Sequence, residues 1–147
     1  MNQPFTKALG CFLVLCVCSG TRPSTLGVHD GKLAPCPNSP NCVTTFVIDK
    51  THAIKPLFYT GTMDQAKQKL FAVVSSMPRA RIILDKNDYI EVEFTSFLWR
   101  FVDDVEFVFD DGAKTIHFRS ASRLGYGDMG VNRKRMETIR KKFDSAK

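Results

Sequence analysis

Between Tyr89 and Ala121 the chain alternates apolar and polar residues with a period of two, in three successive runs. In the first, Tyr89 to Ser96, Ile90, Val92 and Phe94 point one way and Glu91, Glu93 and Thr95 the other. In the second, Val102 to Phe109, Val105, Phe107 and Phe109 oppose Asp104, Glu106 and Val108. In the third, Thr115 to Ala121, Ile116 and Phe118 oppose His117 and Arg119. This period places successive side chains on opposite faces of a strand, so each run predicts a strand with one apolar face. Asp110-Asp111-Gly112 supplies a turn between the last two. A shorter apolar run, Ala80 to Leu84, adds a fourth strand, and Asp85-Lys86-Asn87-Asp88 links it to the first run. At Phe97 to Phe101 the period slips, which predicts a bulge, a bend or a loop.

Helical periodicity flanks these strands. Met63, Ala66, Leu70, Val73, Val74 and Met77 recur at helical spacing, while Lys67, Gln68 and Lys69 lie mainly off that face. Thr62 and Gln65 match a capping box, in which each side chain satisfies the other residue's free backbone donor. Pro78 stops the helix. A last helix runs from about Val131 to Phe143 with a narrow stripe of Met136, Ile139 and Phe143. The economical architecture is α+β: an antiparallel sheet of about four strands, with the two helices packed on one face. At 147 residues the chain suits one domain.

The first twenty residues read as a targeting leader. Lys7 gives a weakly positive start, and Ala8 to Val17 is apolar but too short to span a bilayer. Cys18, Ser19 and Gly20 suit cleavage after Gly20. The alternative is lipidation at Cys18, with Leu15 three residues before it and a poorly fitting Val17 just before it. Residues 21–30 are expected to be a polar linker, and 31–147 the domain. Gly31 to Pro56 is loop-like, with a short extended piece at Val43 to Ile48.

Beyond the leader only Cys36 and Cys42 remain, in a segment rich in proline and asparagine that closes a small ring at low entropic cost. In an oxidising compartment a disulfide is expected. Free thiols or a metal site are the alternatives, but His29 and His52 are distant in sequence and no second cysteine pair is present. No metal or other cofactor is expected.

The candidate site is a dense set of charged and hydroxylated residues: Asp103, Asp104, Arg119, Ser120, Ser122, Arg123, Asp128, Asn132, Arg133 and Arg135. Alternation puts Asp104, Glu106 and Arg119 on one sheet face. Three readings compete. The acids and arginines form a structural network tying the last loop and helix to the sheet. Alternatively, Arg123 with Arg133 or Arg135 holds an anionic or amphipathic small molecule beside the helix N-terminus. Or Asp103 or Asp104 acts as the general base of a hydrolase, although no nucleophile–base–orienter set is visible. A non-catalytic role is expected.

Other signals are weaker. Gly125-x-Gly127-x-x-Gly130 has the spacing of a dinucleotide fingerprint but follows an antiparallel strand, so that reading is rejected. From Val131 to Lys147 seven basic residues face Glu137 and Asp144. Such a tail is first a solvated helix face; as a contact it suits anionic lipid headgroups better than nucleic acid in an exported protein, with Lys141 and Lys142 as the scaffold-type contacts. Trp99, among Phe97, Leu98 and Phe101, is expected in the core, with pocket lining or membrane contact as alternatives.

Three segments carry a resemblance. They are Pro35-Cys36-Pro37-x-Ser39-Pro40-Asn41-Cys42-Val43, Phe101-Val102-Asp103-Asp104-Val105-Glu106-Phe107, and Arg119-Ser120-Ala121-Ser122-Arg123-x-Gly125-Tyr126-x-Asp128-x-Gly130-x-Asn132-Arg133-x-Arg135. Over about residues 31–143 the chain resembles the family known as domain of unknown function 1499. The resemblance implies an exported or lipid-anchored envelope protein, periplasmic in bacteria. It brings no substrate, cofactor or catalytic residue.

Overall fold

The computed structural model describes residues 20–146. The leader and the lipidation candidate Cys18 fall outside the described residues, Gly20 excepted.

A short hairpin of β1 (Val28–His29) and β2 (Lys32–Leu33) comes first, then β3 (Cys42–Thr44) and β4 (Leu57–Phe58). Helix α1 (Met63–Ser75) follows, then β5 (Ala80–Asp85), β6 (Tyr89–Thr95), β7 (Val102–Asp110), β8 (Thr115–Ser122) and helix α2 (Val131–Ser145). Strands β5 to β8 form an antiparallel meander, and both β3 and β4 pair with the outer edge of β8, making one six-stranded sheet. The fold class is α+β, as the alternation predicts. The four predicted strands are β5 to β8. Of the two short strands at the edge of β8, β3 overlaps the start of the extended piece expected from Val43, and β4 is an addition.

Both helices pack on the face carrying Ile90, Val92, Val105, Phe107, Ile116 and Phe118. Helix α1 contributes Ala66, Leu70, Val73 and Val74, and α2 contributes Met136, Ile139 and Phe143. Each fully buried ring, such as Phe107 or Phe118, adds about 2–3 kcal/mol by leaving water. The capping box at Thr62 and Gln65 is present with both hydrogen bonds, and α1 ends at Ser75 before Pro78. No described helix is long and apolar enough to cross a membrane.

Three expectations need correction. Residues 21–30 are not a detached linker. Leu26 is buried, and the segment lies as a strap across the second sheet face, drawn there by charge pairs that periodicity cannot reveal. That face is therefore not a solvated ladder. Nearly all of β7 is buried on both sides. Phe97 to Phe101 is an exposed hairpin loop, one of the forms expected there, and a register shift lies in β5 between Ile82 and Leu84. Trp99, on the loop between β6 and β7 and mostly exposed, is thus outside the core.

Candidate functional site

The register of β7 against β8 pairs Asp103 with Ser122 and Asp104 with Ala121. Successive strand residues face opposite ways, so the predicted cluster divides into two sites on the two faces of one sheet.

On the helix face, Asp103 pairs with Arg135. The same guanidinium donates to Oδ1 of Asn132 at 2.7 Å and to Oγ of Ser120 at 3.2 Å, and it lies 4.7 Å from the centroid of the Phe94 ring. Asn132 is fully buried and is the hub. Its Oδ1 accepts from Ser120 Oγ at 2.5 Å, and its Nδ2 donates to Ser122 Oγ, to Asp128 Oδ2 and to the Asn41 carbonyl. Asp128 also accepts from the backbone N–H groups of Gly130 and Asn132. The first residue before α2, Gly130, sits at φ +75° and offers no capping side chain, so Asp128 supplies the negative charge at that N-terminus. The place where an external anion was anticipated is occupied by the chain's own carboxylate.

On the strap face, Arg123 makes a fork with Asp104, Nε to Oδ2 at 2.9 Å and Nη2 to Oδ1 at 2.7 Å, and also bonds Glu93. Burial opposes the charge on Glu93, yet hydrogen bonds from Arg81 and Arg123 outweigh it and hold the carboxyl below its usual range. The hydrogen bonds that Arg123 donates to Asp104 and to Glu93 push the pKa of its guanidinium up, against burial. Glu91, completely buried, receives a fork from Arg22 of the strap at 2.8 and 2.6 Å. Glu106 accepts from the Gly27 N–H at 2.7 Å and from Tyr89 Oη at 2.9 Å. Burial raises its carboxyl above the normal value despite these donors, and raises the Tyr89 phenol too. Arg119 reaches Glu106 at 3.4 Å, while its buried Nε has no protein partner.

Asp104, Arg119 and Arg123 border a cavity of about 340 Å³ between strap and sheet, beside Pro35 and Cys36. Four acids, Glu91, Glu93, Asp104 and Glu106, meet Arg22, Arg81, Arg119 and Arg123 on the strap face, so that face balances its own charge. Cys36 and Cys42 are joined in a disulfide at its edge.

Arg123, Arg133 and Arg135 do not converge. Arg123 lies under the strap and Arg135 under α2, while Arg133 donates to the carbonyls of Ala53 and Thr51, at 2.9 Å each. Asp103 and Asp104 are both engaged by arginine, so neither presents a free base. The tail helix also spends its arginines internally, with Arg140 bonded to the Lys55 and Pro56 carbonyls. Among the described residues no three metal-ligating side chains converge.

Sequence reasoning missed Glu91, Glu93, Arg22 and Tyr89. Alternation did carry the signal for the two glutamates, since it sets them on the face of Asp104 and Glu106. It also missed a groove of about 1280 Å³ between α1 and α2. Ala66, Val73 and Phe143 form its apolar floor, and Lys69, Lys141 and Lys142 stand along it. The Lys69 ammonium lies 4.9 Å from the centroid of the Phe143 ring. Lys141 and Lys142 were singled out in sequence, but not their convergence with Lys69, because two distant segments supply the groove.

No curated protein matches the chain. A family model described as protein of unknown function (DUF1499) matches residues 32–143, which covers both halves of the divided cluster, and the chain belongs to that family.

Proposed function

We propose that this is an exported, non-catalytic envelope protein that binds a small anionic amphipathic molecule in the groove between α1 and α2. The groove carries the reading. Its floor offers apolar surface to a hydrocarbon tail, and its three ammonium groups suit a carboxylate or phosphate headgroup. The arginine cluster, where the ligand was first anticipated, works in this reading as the structural clasp that holds strap and helix on the sheet. Export is supported by the leader-like residues 1–20 and by the Cys36–Cys42 disulfide, a bond that persists in oxidising compartments.

The test is titration of the full chain with a fluorescent medium-chain fatty acid. Saturable binding is expected. Ala72→Trp, which fills the groove from an exposed position on α1, abolishes it while circular dichroism stays unchanged. Lys69→Glu with Lys142→Glu weakens it by about tenfold or more. Binding that survives the groove-filling variant sinks the reading. Mass measurement of the native protein checks export: a mature chain starting at Thr21, or an acylated Cys18, supports it, and an intact Met1 start contradicts it.

A further inference from the structure

Most of the large apolar side chains left in water gather at one end of the sheet, Val28, Ile48, Phe58 and Phe71 lying in other segments. Phe97, Leu98 and Trp99 are 78, 71 and 67 % exposed, Tyr126 76 % and Met129 97 %. Topology brings them together. β6 ends at Thr95, β7 begins at Val102, β8 ends at Ser122 and α2 begins at Val131, so the loops 96–101 and 123–130 leave the sheet at the same end.

Both loops are held in place. Ser96 N–H donates to the Phe101 carbonyl, and Phe101 N–H to Ser96 Oγ, each at 2.8 Å. Arg123 N–H donates to the Val102 carbonyl at 3.0 Å, and Asn41 Nδ2 to the Gly125 carbonyl at 2.6 Å. Arg100 and Met129 turn the chain at φ +57° and +54°. The apolar side chains are therefore presented on a fixed frame.

The charges at this end have one sign. Arg79, Arg81 and Arg100 are exposed there. The nearby acids are engaged elsewhere: Asp128 with α2, Asp103 with Arg135, and Glu93 with Arg81 and Arg123. Arg81 keeps most of its side chain in solvent even while it touches Glu93. The described chain also enters here. A Cβ on Gly20 would lie 3.0 Å from Arg123 Cβ and 3.1 Å from Leu124 Cγ. The residues before it in sequence carry the apolar run Ala8 to Val17.

We infer that this end docks on an anionic lipid bilayer, with Phe97, Leu98, Trp99 and Met129 entering the acyl boundary and Arg79, Arg81 and Arg100 meeting headgroup phosphates. Exposed apolar side chains rimmed by cations match the layering of that boundary, where tryptophan and tyrosine are favoured. A second copy of the chain is a poor occupant, because a two-fold contact brings the same three guanidinium groups face to face. The chain's entry at this end lets an apolar or acylated leader and the loops engage one surface together. The inference stands apart from the groove, and failure of either leaves the other intact.

Trp99 is the sole tryptophan, so its fluorescence reports on this end directly. The experiment adds vesicles of phosphatidylcholine, with and without phosphatidylglycerol, to the full-length chain. With phosphatidylglycerol the emission is expected to shift to the blue and to resist quenching by aqueous acrylamide, less so at raised salt. F97S combined with L98S and M129S lowers vesicle affinity by about tenfold or more with unchanged thermal unfolding. R79E with R100E removes the preference for the anionic lipid. Three results overturn the proposal. Co-sedimentation with vesicles while Trp99 stays quenchable shows that residues 1–19 anchor alone. An emission already blue without lipid, and unmoved by it, shows the surface covered by the chain itself. A shift that follows protein concentration instead of lipid shows self-association.

Discussion

Asp103 and Asp104 are neighbours in the chain, carry the same group and each meet an arginine, yet they lie on opposite faces of the sheet. Asp103 works beneath α2, a helix that already buries Met136, Ile139 and Phe143. Its neighbours are neutral amides and hydroxyls, and the apolar contacts around them hold the helix in any case. Asp104 works beneath a strap whose buried apolar side chains are few, chiefly Leu26 and Leu33. There the hydrocarbon contribution is small, and the Arg22–Glu91 pair with the Gly27 N–H bond to Glu106 carries the attachment. Buried charge pairs are a poor source of net stability compared with apolar packing, but losing one partner is costly because the other stays desolvated. The two faces therefore differ in how they fail. The helix side loses stability by degrees, and the strap side fails when a single charge is left alone.

The largest expected effect is from Arg123→Met. It leaves Asp104 without a partner and Glu93 with Arg81 alone, and costs about 3–5 kcal/mol in guanidinium denaturation. Arg135→Met leaves Asp103 with less burial and leaves the Asn132 bonds to Ser120, Ser122 and Asn41 in place, so a loss of about 2–3 kcal/mol is expected. Equal losses from the two variants break the contrast. Arg22→Ala separates the strap from Glu91 through a half-exposed arginine, and solvent screening limits the loss to about 1–2 kcal/mol. Its signature is faster amide exchange at Gly27 and Leu33 with the α1 and α2 amides unchanged. Uniform acceleration across the molecule contradicts a separately held strap.

The smallest effect is a pH response. His117 sits on the strap face, stacked on Phe46 at 4.6 Å between centroids with Nδ1 3.1 Å from Thr45 Oγ1. Burial lowers its pKa from 6.5, opposed by Asp110. Its contribution to stability is complete above the unfolded value of 6.5 and fades as pH falls through the lower folded value. Glu93, also held low, loses its contribution only further into acid, below 4.5. Unfolding temperatures should therefore decline in two stages on acidification, and His117→Phe removes the first. A single acid-side stage in the wild type contradicts this.

Much of the fold was legible because its signals are local. The Thr62–Gln65 cap, the three alternating runs and the Asp110-Asp111-Gly112 turn each need only a few consecutive residues. Alternation even assigned Asp104, Glu106 and Arg119 to one face. It did not divide the cluster, because Asp103 was read by proximity in sequence instead of by strand parity. The strap was illegible for a different reason. Residues 21–30 have no period, and what holds them is Glu91 and Glu106, some seventy to eighty positions away. Trp99 misled because hydrophobicity alone does not separate a core side chain from one displayed on a loop. The groove joins α1 to α2 and lies in neither segment's own pattern.

The strap also sets an order of events. Its partners are 69 and 79 residues downstream, whereas strands β5 to β8 join neighbour to neighbour. Local hairpins close quickly, and long loops close late. The stretch synthesised first among the described residues is therefore the one seated last. Until it arrives, the carboxylates of Glu91 and Glu106 remain hydrated, and the meander gives up that water only when the front of the chain comes back to cover it.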